Sequence, residues 1–361
     1  MRDLVIFIPS IEGGGVEKNL FYLTNYIQTE FKNIYVITAD QVKNHLFGKK
    51  IKLISPNSRF FNNKNRFLKS IICSYLLIKY FKKRKTLIFS FQSNFFSIFI
   101  SKVINAKIII RLNTSPEKYI SNFCKKILFK FLYSFADEII VNSSEFKKNL
   151  FKKLNLRSKV ILNPIKIIKT KKQINFFKNF NGLKIISIGR LTDQKNHLIL
   201  LKALNLLKKE FKIKFKLYLI GKGYNHSLLL NYILDNNLQK NIKLAGFKKD
   251  ASNYIRSCDL FVLSSNFEGL PNTLIEAQTA GIPIISSNCA TGPKEILING
   301  RLGDLFNTGD YKDLCKKILN FSKNRKILKK KSILAKKYLY RFDYKTNLNN
   351  YILILKKYIK Y

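Results

Sequence analysis

Arg190 and Lys195 stand five residues apart in IISIGRLTDQKNH (185–197), directly after an apolar run that ends at Gly189. A guanidinium offers a planar fork of donors and an ammonium a compact charge, and together they suit a pyrophosphate. In a chain with 67 Lys and Arg the same pair is equally readable as two solvated cations. A second stretch, SSNFEGLPNTLIEAQTAGIPIISS (264–287), couples Glu268, the turn Gly269-Leu270-Pro271-Asn272 and Glu276. A carboxylate accepts from two neighbouring hydroxyls, which is how a ribose or a hexose is held. Pro271 suits a first helical position, so a helix is predicted to start at 270–271, its amides free to meet phosphate or sugar oxygens. Four acidic residues (Asp259, Glu268, Glu276, Glu295) against two basic ones (Arg256, Lys294) make 256–295 an acidic island. A carboxylate set against the helix dipole is the plainer account of it. The third stretch, IEGGGVEKNL (11–20), puts Gly13, Gly14 and Gly15 between an apolar run and a helical pattern. Glycine lets backbone approach a ligand while turning sharply, so this reads as an anion cradle or as a tight turn. It matches neither a dinucleotide-binding GxGxxG with its distal acid nor GxxxxGK[ST].

The elements that must hold these stretches are legible as an alternation. Short apolar runs predict strands at Leu4–Pro9, Ile34–Thr38, Ile51–Ile54, Leu87–Ser90, Ala106–Arg111, Glu138–Asn142 and Val160–Asn163. A second set follows at Leu183–Ile188, Phe215–Ile220, Ile242–Ala245, Leu260–Ser264 and Pro283–Ser286. Helical spacing fills the gaps, as in Val16, Leu20, Leu23 and Ile27. Strands apolar on both faces, alternating with helices, predict parallel sheets covered on both sides, and two such blocks predict two doubly wound α/β domains. The expected division is 1–165, a Lys- and Asn-rich stretch at 166–182 that reads as a solvated linker or as an irregular surface loop of either domain, a second domain at 183–340, and a basic C-terminal segment at 341–361.

Composition narrows the classes. The 361 residues, 46% hydrophobic, supply two cores and exclude wholesale disorder. Five dispersed cysteines without a CxxC pair and three histidines (His45, His197, His226) argue against a disulfide framework or a His-built metal site. The apolar run Leu4–Ile8 is too short for a signal peptide, and no stretch reaches 18 apolar residues, so a cytosolic chain that lies on a membrane rather than crossing it is expected. The net charge of +46 calls for anionic company: nucleic acid, an acidic membrane face or phosphorylated substrates. No zinc finger, RNP-type aromatic motif or isolated basic region favours nucleic acid. Two segments, Lys64–Lys85 and Asn122–Phe135, are basic and amphipathic and suit an anionic membrane surface. A general Lys, Asn and Ile bias would leave the same trace.

In order, GGGVEK, IGRLTDQKN, LIGKG and DLFVLSSNFEGLPNTLIEAQTAGIPIISS resemble the family-4 retaining glycosyltransferases of the GT-B fold, with Glu268 and Glu276 in an E-x7-E spacing. The likeness is strong from Leu183 to Phe306 and looser before Asn163. It implies two Rossmann-like domains facing across a cleft, with the final helix crossing back to the first. It implies that Glu276 bonds the ribose hydroxyls, and that Arg190, Lys195 and Gly189 hold the diphosphate. Gly269, Leu270, Pro271 and Asn272 would offer amides to phosphate and sugar, and Glu268 would contact donor-sugar hydroxyls near the reacting carbon. Gly14 and Gly15 would approach the donor from the first domain, and Gly246 and Phe247 would lie beside the base.

The resemblance further implies transfer of a hexose or N-acetylhexosamine, with retention, from a nucleotide-sugar, UDP by default and GDP as the alternative. The acceptor would be a growing glycan, carried on a polyprenyl-diphosphate lipid, in surface polysaccharide assembly. Lacking any DxD sequence, the chain is expected to need no metal. It departs from the family in one place. Many relatives carry a histidine beside the donor sugar in the first domain, and here SFQSNFF (90–96) and IIRLNTSP (109–116) have none. Gln92, Arg111 and Asn113 are the available substitutes. A nucleic-acid-binding protein, or an epimerase or phosphorylase on the same scaffold, are the competing readings.

Overall fold

The computed structural model describes residues 2–42, 44–114, 122–166, 174–248 and 251–360, in two compact units, 1–164 with 344–361 and 165–343. In the first unit the order is β1 (Asp3–Phe7), α1 (Gly15–Ile27), β2 (Ile34–Ile37), β3 (Ile51–Ile54), α2 (Arg66–Phe81) and β4 (Thr86–Ser90). It continues with α3 (Asn94–Val103), β5 (Lys107–Leu112), α4 (Phe123–Ser134), β6 (Glu138–Val141), α5 (Ser144–Leu154) and β7 (Lys159–Val160). The second unit runs β8 (Leu183–Ile188), α6 (His197–Phe211), β9 (Phe215–Ile220), α7 (His226–Asp235), β10 (Ile242–Leu244), α8 (Ser252–Ile255) and β11 (Leu260–Leu263). Then come α9 (Asn272–Ala280), β12 (Ile284–Ser287), α10 (Pro293–Ile296), β13 (Asp304–Phe306), α11 (Tyr311–Lys323) and α12 (Arg325–Lys336). The last helix, α13 (Tyr344–Ile359), belongs to the first unit.

Both sheets are parallel throughout, ordered β3-β2-β1-β4-β5-β6-β7 and β10-β9-β8-β11-β12-β13. Each is the doubly wound pattern in which the chain starts at the centre, works to one edge, then returns and works to the other. Successive side chains point to opposite faces of a strand. Leu4, Ile6, Phe89 and Ile109 therefore pack against α1 and α13, while Val5, Phe7, Ile88 and Ile110 pack against α2, α3 and α5. Both halves of the alternation are apolar because both faces are covered. In the second unit Ile185, Leu217, Leu219 and Val262 pack against α6, α7 and α11.

The strands fall where the apolar runs placed them, within one residue for most. Val160–Asn163 contracts to a two-residue strand at Lys159–Val160, and β13 was not anticipated, its three residues being too short a run to stand out. Of the stretch read as a linker, 167–173 lies outside the described residues. In the part from 174 to 182 Asn175, Lys178, Asn179 and Asn181 are exposed, while Phe177 is buried and Phe176 stacks on Tyr218 and Tyr254 at 4.2 and 4.5 Å. Stacked aromatic pairs of this kind add about 0.5–1.5 kcal/mol beyond their area burial, which ties this part of the stretch to the second unit.

Arg111, at the carboxyl end of β5, explains how α13 is held. Its guanidinium is fully buried and donates to Tyr351 Oη on α13 (2.8 Å), to Asn163 Oδ1 (2.7 Å) and to Asn113 Oδ1. A buried cation must have its donors satisfied, so this cluster fixes the register of α13 on the sheet. Tyr351→Phe leaves one guanidinium N–H without its acceptor. It is expected to lower the free energy of unfolding by about 1–3 kcal/mol in urea titrations, and an unchanged midpoint would show that the bond does not matter.

Candidate functional site

In a doubly wound sheet, ligands sit beyond the carboxyl ends of the strands, where the strand order reverses. In the second unit that point lies between β8 and β11. The chain leaves β8 through Gly189, Arg190 and Lys195, and leaves β11 through Ser264, Ser265 and Glu268. The two stretches singled out from sequence are thus neighbours because of topology. They lie 73 residues apart along the chain, yet Lys195 Nζ meets Glu268 Oε1 at 2.5 Å. Ser265 Oγ donates to the same carboxylate oxygen at 2.6 Å, and Thr291 Oγ1 donates to the Glu268 carbonyl. Glu268 is only 5% exposed. A carboxylate this buried needs a cation and donors around it, and here it has them.

The loops are laced as well as paired. Asn266 N donates to the Gln194 carbonyl at 2.8 Å, Gln194 Nε2 to the Phe267 carbonyl at 3.2 Å, and Ser264 Oγ to the Lys195 carbonyl at 3.0 Å. Gly189 is where the Lys195 stem crosses the backbone, since a Cβ there would sit 3.2 Å from its Cγ and Cδ. Arg190 is exposed and lies against Gln194, 3.4 Å from Oε1.

The LIGKG motif supplies the next strand's loop. A Cβ at Gly221 would fall 1.8 Å from the Gly189 carbonyl oxygen, so only glycine lets the loops after β8 and β9 approach this closely. Gly221 N in turn donates to the Gly246 carbonyl at 3.0 Å, which brings in the end of β10. Phe247 is half exposed, with Lys222 Nζ 5.7 Å from its ring centre. Gly189, Gly221, Gly246 and Glu268 therefore share the carboxyl edge of one sheet.

Helix α9 begins at Asn272, not at 270–271. Pro271 is its N-cap, with ψ of 111°, because its ring allows extended backbone as readily as helical. Gly269, Leu270 and Pro271 form the approach to the helix, and Glu276 sits half-buried just over one turn inside it. Gly292 takes a positive φ of 88° beside this turn. A Cβ there would lie 2.2 Å from the Gly269 carbonyl oxygen. Sequence reasoning missed Ser265, Thr291 and Gly292. The Gly292-Pro293 pair, a turn followed by a proline opening α10, was the available signal for the last two.

In the first unit, Gly13, Gly14 and Gly15 follow β1 and open α1, beside its own switch point between β1 and β4. Gln92 bolts this loop: its Oε1 accepts from Ser10 N and its Nε2 donates to Glu17 Oε1, both at 3.3 Å. A buried pair, Lys69 with Asp40 at 2.6 Å, holds the loop from beneath, the other Asp40 oxygen accepting from Ile11 N at 2.8 Å. Of the residues available in place of the usual histidine, Gln92 adjoins the glycines. Arg111 turns to α13, and Asn113 Nδ2 donates to the Phe91 carbonyl at 2.6 Å. Ser115 and Pro116 lie outside the described residues.

Two doubly wound parallel units in series, the second with a cation–acid pair at its switch point, define the GT-B class. Solved GT-B glycosyltransferases superpose accordingly. Anabaena HepE in complex with UDP and glucose aligns over 99% of this chain and 100% of its own, with a TM-score of 0.80 at 18% identity. Residues 168–338 match the family model for glycosyl transferases group 1. An uncharacterized glycosyltransferase of Methanocaldococcus jannaschii is 35% identical over 209 residues, 54% of this chain; the chain spans about half, 51%, of that relative's length. A Campylobacter jejuni N-acetylgalactosaminyltransferase, named for an N-acetylgalactosamine-N,N'-diacetylbacillosaminyl-diphospho-undecaprenol acceptor, is 25% identical over 92% of this chain and 94% of its own. An Escherichia coli enzyme named UDP-Gal:alpha-D-GlcNAc-diphosphoundecaprenol alpha-1,3-galactosyltransferase is 33% identical over 45% of this chain and 46% of its own.

His197, the first residue of α6, lies buried beneath the Lys195 loop with Nδ1 3.5 Å from Ser187 Oγ. Burial first, and the Lys195 charge second, push its pKa down to about 3. The folded chain thus refuses a proton that the unfolded chain accepts below about pH 6.5. Stability from this group is complete above that pH and is lost as pH falls toward 3. His197→Gln should therefore lose about 2 kcal/mol less than the wild type between pH 7 and pH 5 in urea unfolding. Identical losses would show that the imidazole titrates freely.

Proposed function

We propose that the chain transfers a hexose or N-acetylhexosamine from a UDP-sugar to a glycan carried on a polyprenyl diphosphate, with retention at the anomeric carbon, in assembly of a surface polysaccharide. The observation that carries this reading is the Lys195–Glu268 pair at the carboxyl edge of the second sheet, flanked by Arg190 and the start of α9. Breaking the sugar–phosphate bond leaves positive character on the anomeric carbon and negative charge on the departing diphosphate. Arg190, Lys195 and the α9 amides meet that negative charge with donors already in place. Because these cations supply the compensation, the reaction as proposed needs no metal ion.

Glu268, buried and oriented by Ser265, accepts from donor-sugar hydroxyls, and Glu276 accepts from the ribose hydroxyls. The amides after Gly269 to Pro271 hold sugar and phosphate oxygens, and Gly246 and Phe247 lie beside the base. The Gly14–Gly15 turn, opening α1, offers a second place for anionic oxygens. The acceptor hydroxyl attacks from the side the diphosphate leaves. The relatives' names support the acceptor: two of them are named for substrates linked through diphosphate to undecaprenol. A lipid carrier of that kind puts the reaction at the inner face of the cytoplasmic membrane, with the chain as a peripheral protein.

The test has two arms. UDP release from a panel of UDP-sugars should depend on a polyprenyl-diphosphate glycan acceptor. Glu276→Ala should weaken UDP-sugar binding about 10- to 100-fold by calorimetry, the scale of losing one charged hydrogen-bonding group, while the thermal midpoint stays put. Wild-type affinity in that variant would remove the ribose role.

A further inference from the structure

Helices α2, α3, α4 and α5 lie side by side on one face of the first sheet, and each of the first three turns an apolar stripe outward. On α2 the stripe is Phe67, Ile71 and Tyr75. On α3 it is Phe95, Phe99 and Val103. On α4 it is Phe123, Ile127 and Phe131. All nine follow an i, i+4, i+8 spacing, so each stripe runs along a single helix flank. The stripes are joined: Phe67 meets Phe96 at 5.6 Å between α2 and α3, and Lys102 of α3 lies over the ring of Phe135, just past α4, at 5.3 Å. No residue of α4 is buried, and Phe123 is 74% exposed. The helix packs on the core through the partly buried Phe129 and Tyr133, and its opposite flank, Phe123, Ile127 and Phe131, packs on none of it.

We propose that this α2–α3–α4 face docks on an anionic lipid bilayer, with the phenylalanines entering the interfacial layer and the lysines meeting lipid phosphates. The charge on the page selects this occupant. Between Asp40 and Asp137 the sequence contains one acidic residue, Glu117, while Arg66, Lys102, Lys125, Lys126 and Lys130 flank the stripes. A second copy would bring like charges together and be repelled. Nucleic acid would take the cations but leave Ile71, Val103 and Ile127 in water. A bilayer surface is negative, apolar a few ångströms down, and broad enough for three helices at once. The proposal deepens the peripheral-membrane part of the function above by assigning it a face, and it is read without any donor.

The experiment is flotation of the full chain with phosphatidylcholine vesicles, with and without phosphatidylglycerol, beside a variant carrying Phe123→Ser and Phe131→Ser. Because Phe123 and Phe131 are both exposed and the core contacts of α4 run through Phe129 and Tyr133, that variant should keep the wild-type thermal midpoint and UDP-glucose affinity. Wild type should bind the phosphatidylglycerol vesicles, and the double variant at least about tenfold less, two interfacial aromatics being removed. A control with Ile327→Ser and Ile333→Ser on α12 should bind like wild type. Equal binding by the α4 variant, equal binding of wild type to both vesicles, or an oligonucleotide stripping the protein from the vesicles would each overturn the proposal. So would a dimer that the α4 substitutions dissociate. Loss of UDP-glucose affinity with vesicle binding intact would fault the donor site and leave this face standing.

Discussion

The structure of the second unit depends on one ion pair formed where strand order reverses. Lys195 and Glu268 belong to loops that the sheet topology brings together, and neither charge is placed well without the other. A carboxylate as covered as that of Glu268 needs a cation and hydrogen-bond donors beside it. The lysine and the Ser265 hydroxyl make it tolerable. The glycines serve the same end. Gly189 clears the path of the lysine stem, Gly221 lets the neighbouring loop close up behind it, and Gly292 makes room for the turn that carries Gly269. A Cβ would fall 1.8 Å from a backbone oxygen at Gly221 and 2.2 Å from one at Gly292, so these two crossings tolerate no side chain.

Much of this was legible in the sequence because parallel sheets write themselves plainly. Strands covered on both faces are continuous apolar runs, and Leu183–Ile188 and Phe215–Ile220 fall where those runs begin and end. The site stretches were legible for the related reason that residue types foreign to a Lys-rich chain, Gly and Glu, cluster directly after strand ends. What could not be read was the pairing. Nothing in the spacing shows that Lys195 would spend its charge on Glu268, or that Arg111 would turn from any ligand to Tyr351, 240 residues on. Those contacts come from crossover topology. The start of α9 was misplaced by one or two residues because proline accepts extended and helical ψ alike. The packing of Phe176 on Tyr218 and Tyr254 was hidden by the Lys- and Asn-rich composition around it.

The excess positive charge has two different fates in the two units. In the second, a few cations are organised against acids at one sheet edge. In the first, cations lie along helices whose outward flanks are apolar. The buried Lys69–Asp40 pair shows that the first unit still neutralises a charge wherever it must be covered. The rest remain at the surface, where they cost little and meet anions.

The most direct test of the account is the turnover number of Lys195→Ala with a UDP-sugar and its acceptor, measured at a temperature where circular dichroism shows the variant folded. If the ammonium compensates charge on the leaving diphosphate, turnover falls by about one to three orders of magnitude, the cost of losing one fixed electrostatic donor. Turnover equal to wild type would mean that the ion pair at the switch point is only a strut.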